Sequence, residues 1–400
     1  MAIHIYSKKE FDDLIDYYLS KANGIRYVAY SMAITHIRRM SNDVKFVNPL
    51  ETYYVHLDNL DELIKLPRMN IQLLSSNITD KHWIDHLNIP ELHLSLKGIS
   101  EGITINIPFH ATHVTFEDCP EESILDMQSI NYEHLEYLHI HSRDNNMNVR
   151  KNGTLNSLKY LKVPYNLYIK FRYKPNCPYL DINNIPEKSR KYNTSDFISA
   201  YKEKNLVYLN IQFIKTSVMR NIWMFADLEY FKAGTMIPLA KYNFPLSSLL
   251  SIRYVELECM NTLPSSSIYL GNINHNTTCE VLKIYTDVPR DNFYQFIDFK
   301  RFSNLREIGL TINNEFEAIL TDILRSTNHK IKFDFRNNTI DEIFIYLPLI
   351  NLYGHEVTAS NFVGLTVYDI AICYEINGSH NRKLRKNFQS ELKKLGYAIE

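Results

Sequence analysis

His134-Leu135-Glu136-Tyr137-Leu138-His139-Ile140-His141 alternates apolar and polar side chains with the period of two that marks a half-buried strand. The same phrase returns as "SLKYLKVP" at 157–164, "NLVYLNIQ" at 205–212, "DLEYFKAG" at 227–234 and "SIRYVELE" at 251–258. With Leu135 as the first slot of a six-residue frame, L-x-x-L-x-L, Leu138 is fourth and Ile140 sixth. First slots then fall at Leu158, Cys177, Leu206, Leu228, Ile252, Cys279 and Leu305. Looser copies start at Arg68, Glu91 and Ala111, and one more at Lys330. Successive starts lie 19 to 29 residues apart. Self-similarity at that period marks stacked units that share a continuous core, because no single unit can bury its own apolar edge.

On these copies the chain resembles a leucine-rich repeat protein over roughly residues 50–370. The resemblance implies an α/β fold: a right-handed solenoid of ten to thirteen units, shaped as a horseshoe. A parallel concave β-sheet and a mixed helical and irregular convex side would build it. The family's Asn or Cys at the ninth slot is mostly missing here, with Cys119 filling it once, so an irregular member is expected. Three regions follow: a helical N-terminal cap at 1–45, repeats at 46–372 and a C-terminal cap helix at 373–400.

Ser7 with Glu10 forms a capping-box signature ahead of the stripe Phe11, Leu14, Ile15, Tyr18 and Leu19, and "IRYVAYSMAITHIRRM" follows as a second helix. Convex-side helices are expected towards the C-terminal half, as in "TINNEFEAILTDILRSTNH", with irregular connections earlier. "SHNRKLRKNFQSELKKLGYAIE" carries Leu384, Phe388, Leu392 and Leu395 on a basic amphipathic helix. Short helical modules also precede leucine-rich repeats in ubiquitin-ligase receptors, so residues 1–45 have a second reading as an F-box-like adaptor. The Leu-Pro opening typical of that module is absent.

Alternation sends the fourth and sixth slots inward and the third, fifth and seventh to the other side of the sheet. The third slot holds Tyr137, Tyr160, Tyr179, Tyr208, Tyr230 and Tyr254 in six consecutive units. Beside it the fifth slot varies: His139, Lys162, Asp181, Asn210, Lys232, Glu256 and Lys283. Tyrosine suits strands, and like side chains laddered on neighbouring strands stabilise one another, which accounts for the column structurally. Tyrosine also brings large contact area at little entropic cost and is enriched at interaction hot spots. The column is therefore expected to line the concave face as an exposed aromatic wall that binds another protein. Tyr137, Tyr160, Tyr179, Tyr208, Tyr230 and Tyr254 would anchor the partner, with His139, Lys162, Asn210, Lys232 and Glu256 tuning selectivity.

Net charge is −1, so no global field recruits nucleic acid, and a phosphate-tracking surface would need a uniformly basic fifth slot. The opening "MAIHIYSKKEFDDLIDYYLSK" has no apolar signal region, and no window approaches 18 apolar residues. Five scattered cysteines read as free thiols in a reducing, cytoplasmic or nuclear compartment. His134, His139 and His141 cluster, yet zinc would need further ligands such as His113. Neither the phosphate-loop, dinucleotide and hydrolase glycine motifs nor H-E-x-x-H or a Cys-x-x-Cys pair occurs. A monomeric, non-catalytic protein without cofactor or metal is expected.

Overall fold

The computed structural model describes residues 3–39, 50–66, 68–78, 87–96, 103–120, 122–127, 132–142, 147–150, 154–171, 177–183, 206–214, 222–236, 249–260, 278–286, 299, 302–312, 329–336, 354–357 and isolated positions between 320 and 350. The chain divides into two compact units, Met1–Tyr192 and Asn193–Glu400.

The first unit begins with β1 (Ile3–Ser7), α1 (Lys8–Leu19) and α2 (Arg26–Ile37). Strands β2 (Thr52–Leu57), β3 (Asn70–Ile78), β4 (Glu91–Leu96), β5 (Thr104–Asn106), β6 (His113–Cys119), β7 (Ile124–Asp126), β8 (Tyr137–Ser142), β9 (Asn148–Arg150), β10 (Tyr160–Pro164) and β11 (Tyr179–Asn183) follow, with the short α3 (Tyr165–Lys170) after β10. Its main sheet runs β1-β2-β3-β4-β6-β8-β10-β11, and β5-β7-β9 form a second, three-stranded sheet. Between β4 and β10 the chain thus alternates between the two sheets, and every pairing is parallel except β1 with β2. This is a parallel β-solenoid. The second unit continues the plan with β12 (Tyr208–Ile214), β13 (Tyr230–Met236), β14 (Tyr254–Met260), β15 (Val281–Thr286), β16 (Glu307–Leu310), β17 (Lys332–Asp334) and β18 (Glu356–Val357), each parallel to the next.

The interior is built by the frame. Leu138, Leu161, Leu180, Leu209, Phe231, Val255, Leu282, Ile308 and Phe333 fill the fourth slot, and all are fully buried. First slots from Leu135 to Leu305 are buried too. Upstream of them the chain makes a tight turn: the amides of Leu135, Leu158, Leu228, Ile252 and Leu305 donate to the carbonyls of Tyr132, Leu155, Phe225, Leu249 and Phe302. Those five residues are themselves buried. Each of these five units therefore inserts one more apolar side chain, three positions before its first slot. At the start of most strands the second-slot carbonyl accepts two amides of the next unit, as Glu136 O does from Lys159 and Tyr160; Lys159 O accepts only from Tyr179, since Pro178 has no N–H. That shared acceptor locks the register where the ladder begins.

Several expectations are corrected. Strand pairing aligns Glu91 with His113 and Tyr137, so Glu91 is a third slot, two residues from where the frame put it. Leu73 aligns with Glu91, so Arg68 does not start a unit either. The sheet's first edge is closed by a strand, β1, and not by the N-terminal helices. The opposite side of the first unit carries strands β5, β7 and β9 where irregular connections were expected. Further along, Leu320, Ile323 and Leu324 are helical and buried within the segment read as a convex helix. The C-terminal helix at 373–400 lies outside the described residues.

Candidate functional site

The third-slot column forms as aligned rings. Tyr137 and Tyr160 stack with centroids 4.9 Å apart, and His113 extends the stack to Tyr137 at 5.6 Å. In the second unit Tyr208, Tyr230 and Tyr254 stack at 4.5 and 4.2 Å. Parallel register produces this directly, because it sets like slots one strand spacing, about 4.8 Å, apart.

The expected exposed wall is corrected: Tyr137, Tyr160, Tyr208 and Tyr254 are buried, with Tyr137 only 1% and Tyr160 only 2% accessible. Helix α2 accounts for this in the first unit. Tyr27 lies 6.1, 5.6 and 5.3 Å from the rings of Tyr137, Tyr160 and Tyr179, and Tyr30 lies 5.0 Å from His113 and 5.5 Å from Tyr137. Tyr30 Oη donates to Glu91 Oε2 at 2.7 Å, and Arg38, just past the helix, donates to Glu117 of β6. Tyr27, Tyr30, Ile34 and Arg38 share one helical stripe, so α2 crosses the strands from β11 back to β4. Lengths agree: twelve residues of helix span about 18 Å, and the four strand spacings from β4 to β11 span about 19 Å. Phe11 of α1 sits 4.2 Å from Tyr54 of β2, extending the cover to the sheet's edge. Ser7 caps α1 through the capping box read from the sequence, and a left-handed Asn23-Gly24 turn, with Gly24 N–H donating to Leu19 O, swings the chain into α2.

Fifth slots are largely internal as well. His139 is buried, with no hydrogen-bond partner for either ring nitrogen, and burial then the Lys162 cation hold it well below the ordinary imidazole range. In the second unit the column becomes an ion network. Glu256 is 1% accessible and accepts from Lys232 and Arg336, each at 2.7 Å, and from Tyr254 Oη. Burial opposes its charge, but Lys232, Tyr254 and Arg336 prevail and keep the carboxyl below its usual range. Lys283 reaches Glu307 at 2.5 Å and Asp334 at 2.9 Å, and these carboxylates outweigh the burial that disfavours its ammonium. Asp334 lies two strands away, and Gly309 on the intervening β16 makes the reach possible. A Cβ there would sit 2.8 Å from Lys283 Cγ and closer still to Tyr285 Oη. Sequence reading missed Gly309, although its signal was visible as the one fifth slot from β12 to β17 without a side chain.

Of the eleven residues named from the sequence, Tyr137, His139, Tyr160, Tyr208, Tyr254 and Glu256 are interior, while Lys162, Tyr179, Asn210, Tyr230 and Lys232 are half-buried. On the second unit's face Glu258 and Arg336 stand beside the half-buried positions, 42% and 43% accessible at their side chains. No group of three or more His, Cys, Asp or Glu able to hold a metal occurs among the described residues, and no described helix is long and apolar enough to cross a membrane. By fold the chain is a parallel β-solenoid, and no family model, curated protein or solved structure matches it.

Proposed function

We propose that this chain is a non-catalytic scaffold, an irregular solenoid of the leucine-rich repeat kind, that binds another protein on the laddered face of its second unit. The observation that supports this is the occupied face of the first unit. There, Tyr137, Tyr160 and Tyr179 already receive a helix, α2, which is held through ring contacts, a tyrosine–carboxylate hydrogen bond and an ion pair. The second unit repeats the ladder in Tyr208, Tyr230 and Tyr254; with Tyr208 and Tyr254 already buried, the half-buried side chains around Tyr230 are what suit a protein occupant. Its contact set is the half-buried Asn210, Tyr230 and Lys232 with Glu258 and Arg336. The buried tyrosines and Glu256 hold that set in place. Mixed charge with aromatic content fits a protein partner better than a phosphate backbone. None of Cys119, Cys177 and Cys279 is in a disulfide bond, in keeping with a reducing, cytoplasmic setting.

The test is affinity capture from native extract with the full chain beside Asn210→Arg/Glu258→Arg. Glu258 gives up a partly exposed contact with Lys232 at 3.4 Å, and recovery is compared at matched unfolding midpoints. Recovery of the bound protein should drop at least tenfold; equal recovery by a folded variant contradicts the reading.

A further inference from the structure

Where α2 ends, an arginine and a histidine share one carboxylate. Arg38 Nη1 donates to Glu117 Oε2, His93 Nε2 of β4 lies 3.2 Å from Oε1 of the same side chain, and Arg38 Nη1 stands 3.1 Å from that histidine nitrogen. Burial, with Arg38 alongside, favours a neutral ring against the pull of Glu117. Nε2–H then donates to Glu117, and the buried Nδ1, which has no partner, is left as an acceptor and not as a stranded donor.

The surrounding charges are few and mostly committed. From β4 comes Glu91, taken by Tyr30 Oη and by Gln72 at 3.0 Å. From β6 come Glu117 and His113, the latter against the Tyr30 ring. From β2 comes His56, with the half-exposed Asp58 just past the strand 3.9 Å from it, and His4 of β1 stacks on His56. From β8 and β10 come His139, His141 and Lys162; after burial, Lys162, His93 and His141 disfavour a charge on His139, while Glu117 favours it. Among the described residues, Glu117 is thus the one carboxylate that ties the end of α2 to the sheet.

We propose that acid unlatches α2 from the first unit: a proton on His93 Nδ1 leaves a buried donor without an acceptor, sets a second cation against Arg38 and frees the helix, baring Tyr137, Tyr160 and Tyr179. Burial, ahead of any neighbouring charge, lowers the proton affinity of His93 and His113, and it lowers that of His56 to about 4 with Arg38 adding to it. Rings neutral under the helix and free to protonate once it lifts stabilise the closed state fully above the ordinary imidazole value near 6.5. That stabilisation drains as pH falls towards the closed-state values. Glu117 is held well below its usual range by His93 and Arg38 against the effect of burial, so it stays ionised between pH 7 and 5 and the histidines alone set the response. Each interface histidine that regains ordinary affinity raises the opening constant roughly tenfold or more over that interval.

The experiment is hydrogen exchange on the full chain, corrected for intrinsic rates, at pH 7 and pH 5. Protection of residues 26–38 should fall at least tenfold while β2–β4 and β13–β15 keep theirs. His93→Gln should cut that fall several-fold, and His113→Gln is the second variant should the first not fold. Unchanged protection of α2 at pH 5 would overturn the proposal. So would its loss together with the strands, or a fall in folded His93→Gln as large as in wild type.

Discussion

Gly309 shows how much one missing side chain can organise. The Lys283–Asp334 pair is buried, and such pairs are strongly destabilising when broken because one charge is left without its partner. Gly309→Ala puts a methyl where Lys283 and Tyr285 now cross β16. It should destabilise the second unit by about 2–4 kcal/mol, read as a shift in its denaturant midpoint. A loss under about 0.5 kcal/mol, the size of an ordinary surface substitution, would mean that Lys283 does not depend on that gap. The tyrosines carry a parallel lesson. Tyr137 and Tyr160 were legible as a column but not as interior, since a phenol ring suits a wet wall and the underside of a helix equally well. What decides is α2, more than a hundred residues earlier in the chain.

Among the elements, β1 and α2 divide work that sequence reading gave to a single helical cap. Strand β1 lies antiparallel on β2, beside the buried Val55 and Leu57, and closes an edge that would otherwise offer an apolar template for pairing. Deleting residues 2–6 should therefore raise self-association measured by light scattering relative to the full chain. Identical scattering at equal concentration would show that the edge needs no such closure. Helix α2 instead covers the face, with Ala29, Ala33, Ile34 and Ile37 buried, so it is a layer of the first unit. The strands of the second sheet escaped notice for a physical reason: Thr104–Asn106, Ile124–Asp126 and Asn148–Arg150 are three residues each, too short to show a period.

Across the whole molecule, the phase of the solenoid was legible from Leu135 to Leu305 because alternation is a local property that apolar first slots anchor. It slipped at Glu91 and Arg68, where polar residues at the assumed first slot removed the anchor. The extra apolar position three residues before five of the first slots, at Tyr132, Leu155, Phe225, Leu249 and Phe302, was in the sequence and would have fixed the frame more firmly in those units. Of the candidate site, the residues were legible and their accessibility was not, since long-range cover leaves no periodic trace.

The central claim is that the N-terminal helix lies on the tyrosine-laddered face. Tyr30 and Glu91, 61 positions apart, meet at 2.7 Å only in that arrangement. A double-mutant cycle of Tyr30→Phe and Glu91→Ala, read from the first unit's unfolding, measures that contact alone. The account predicts a coupling of about 1 kcal/mol or more. Additivity within about 0.3 kcal/mol would contradict it.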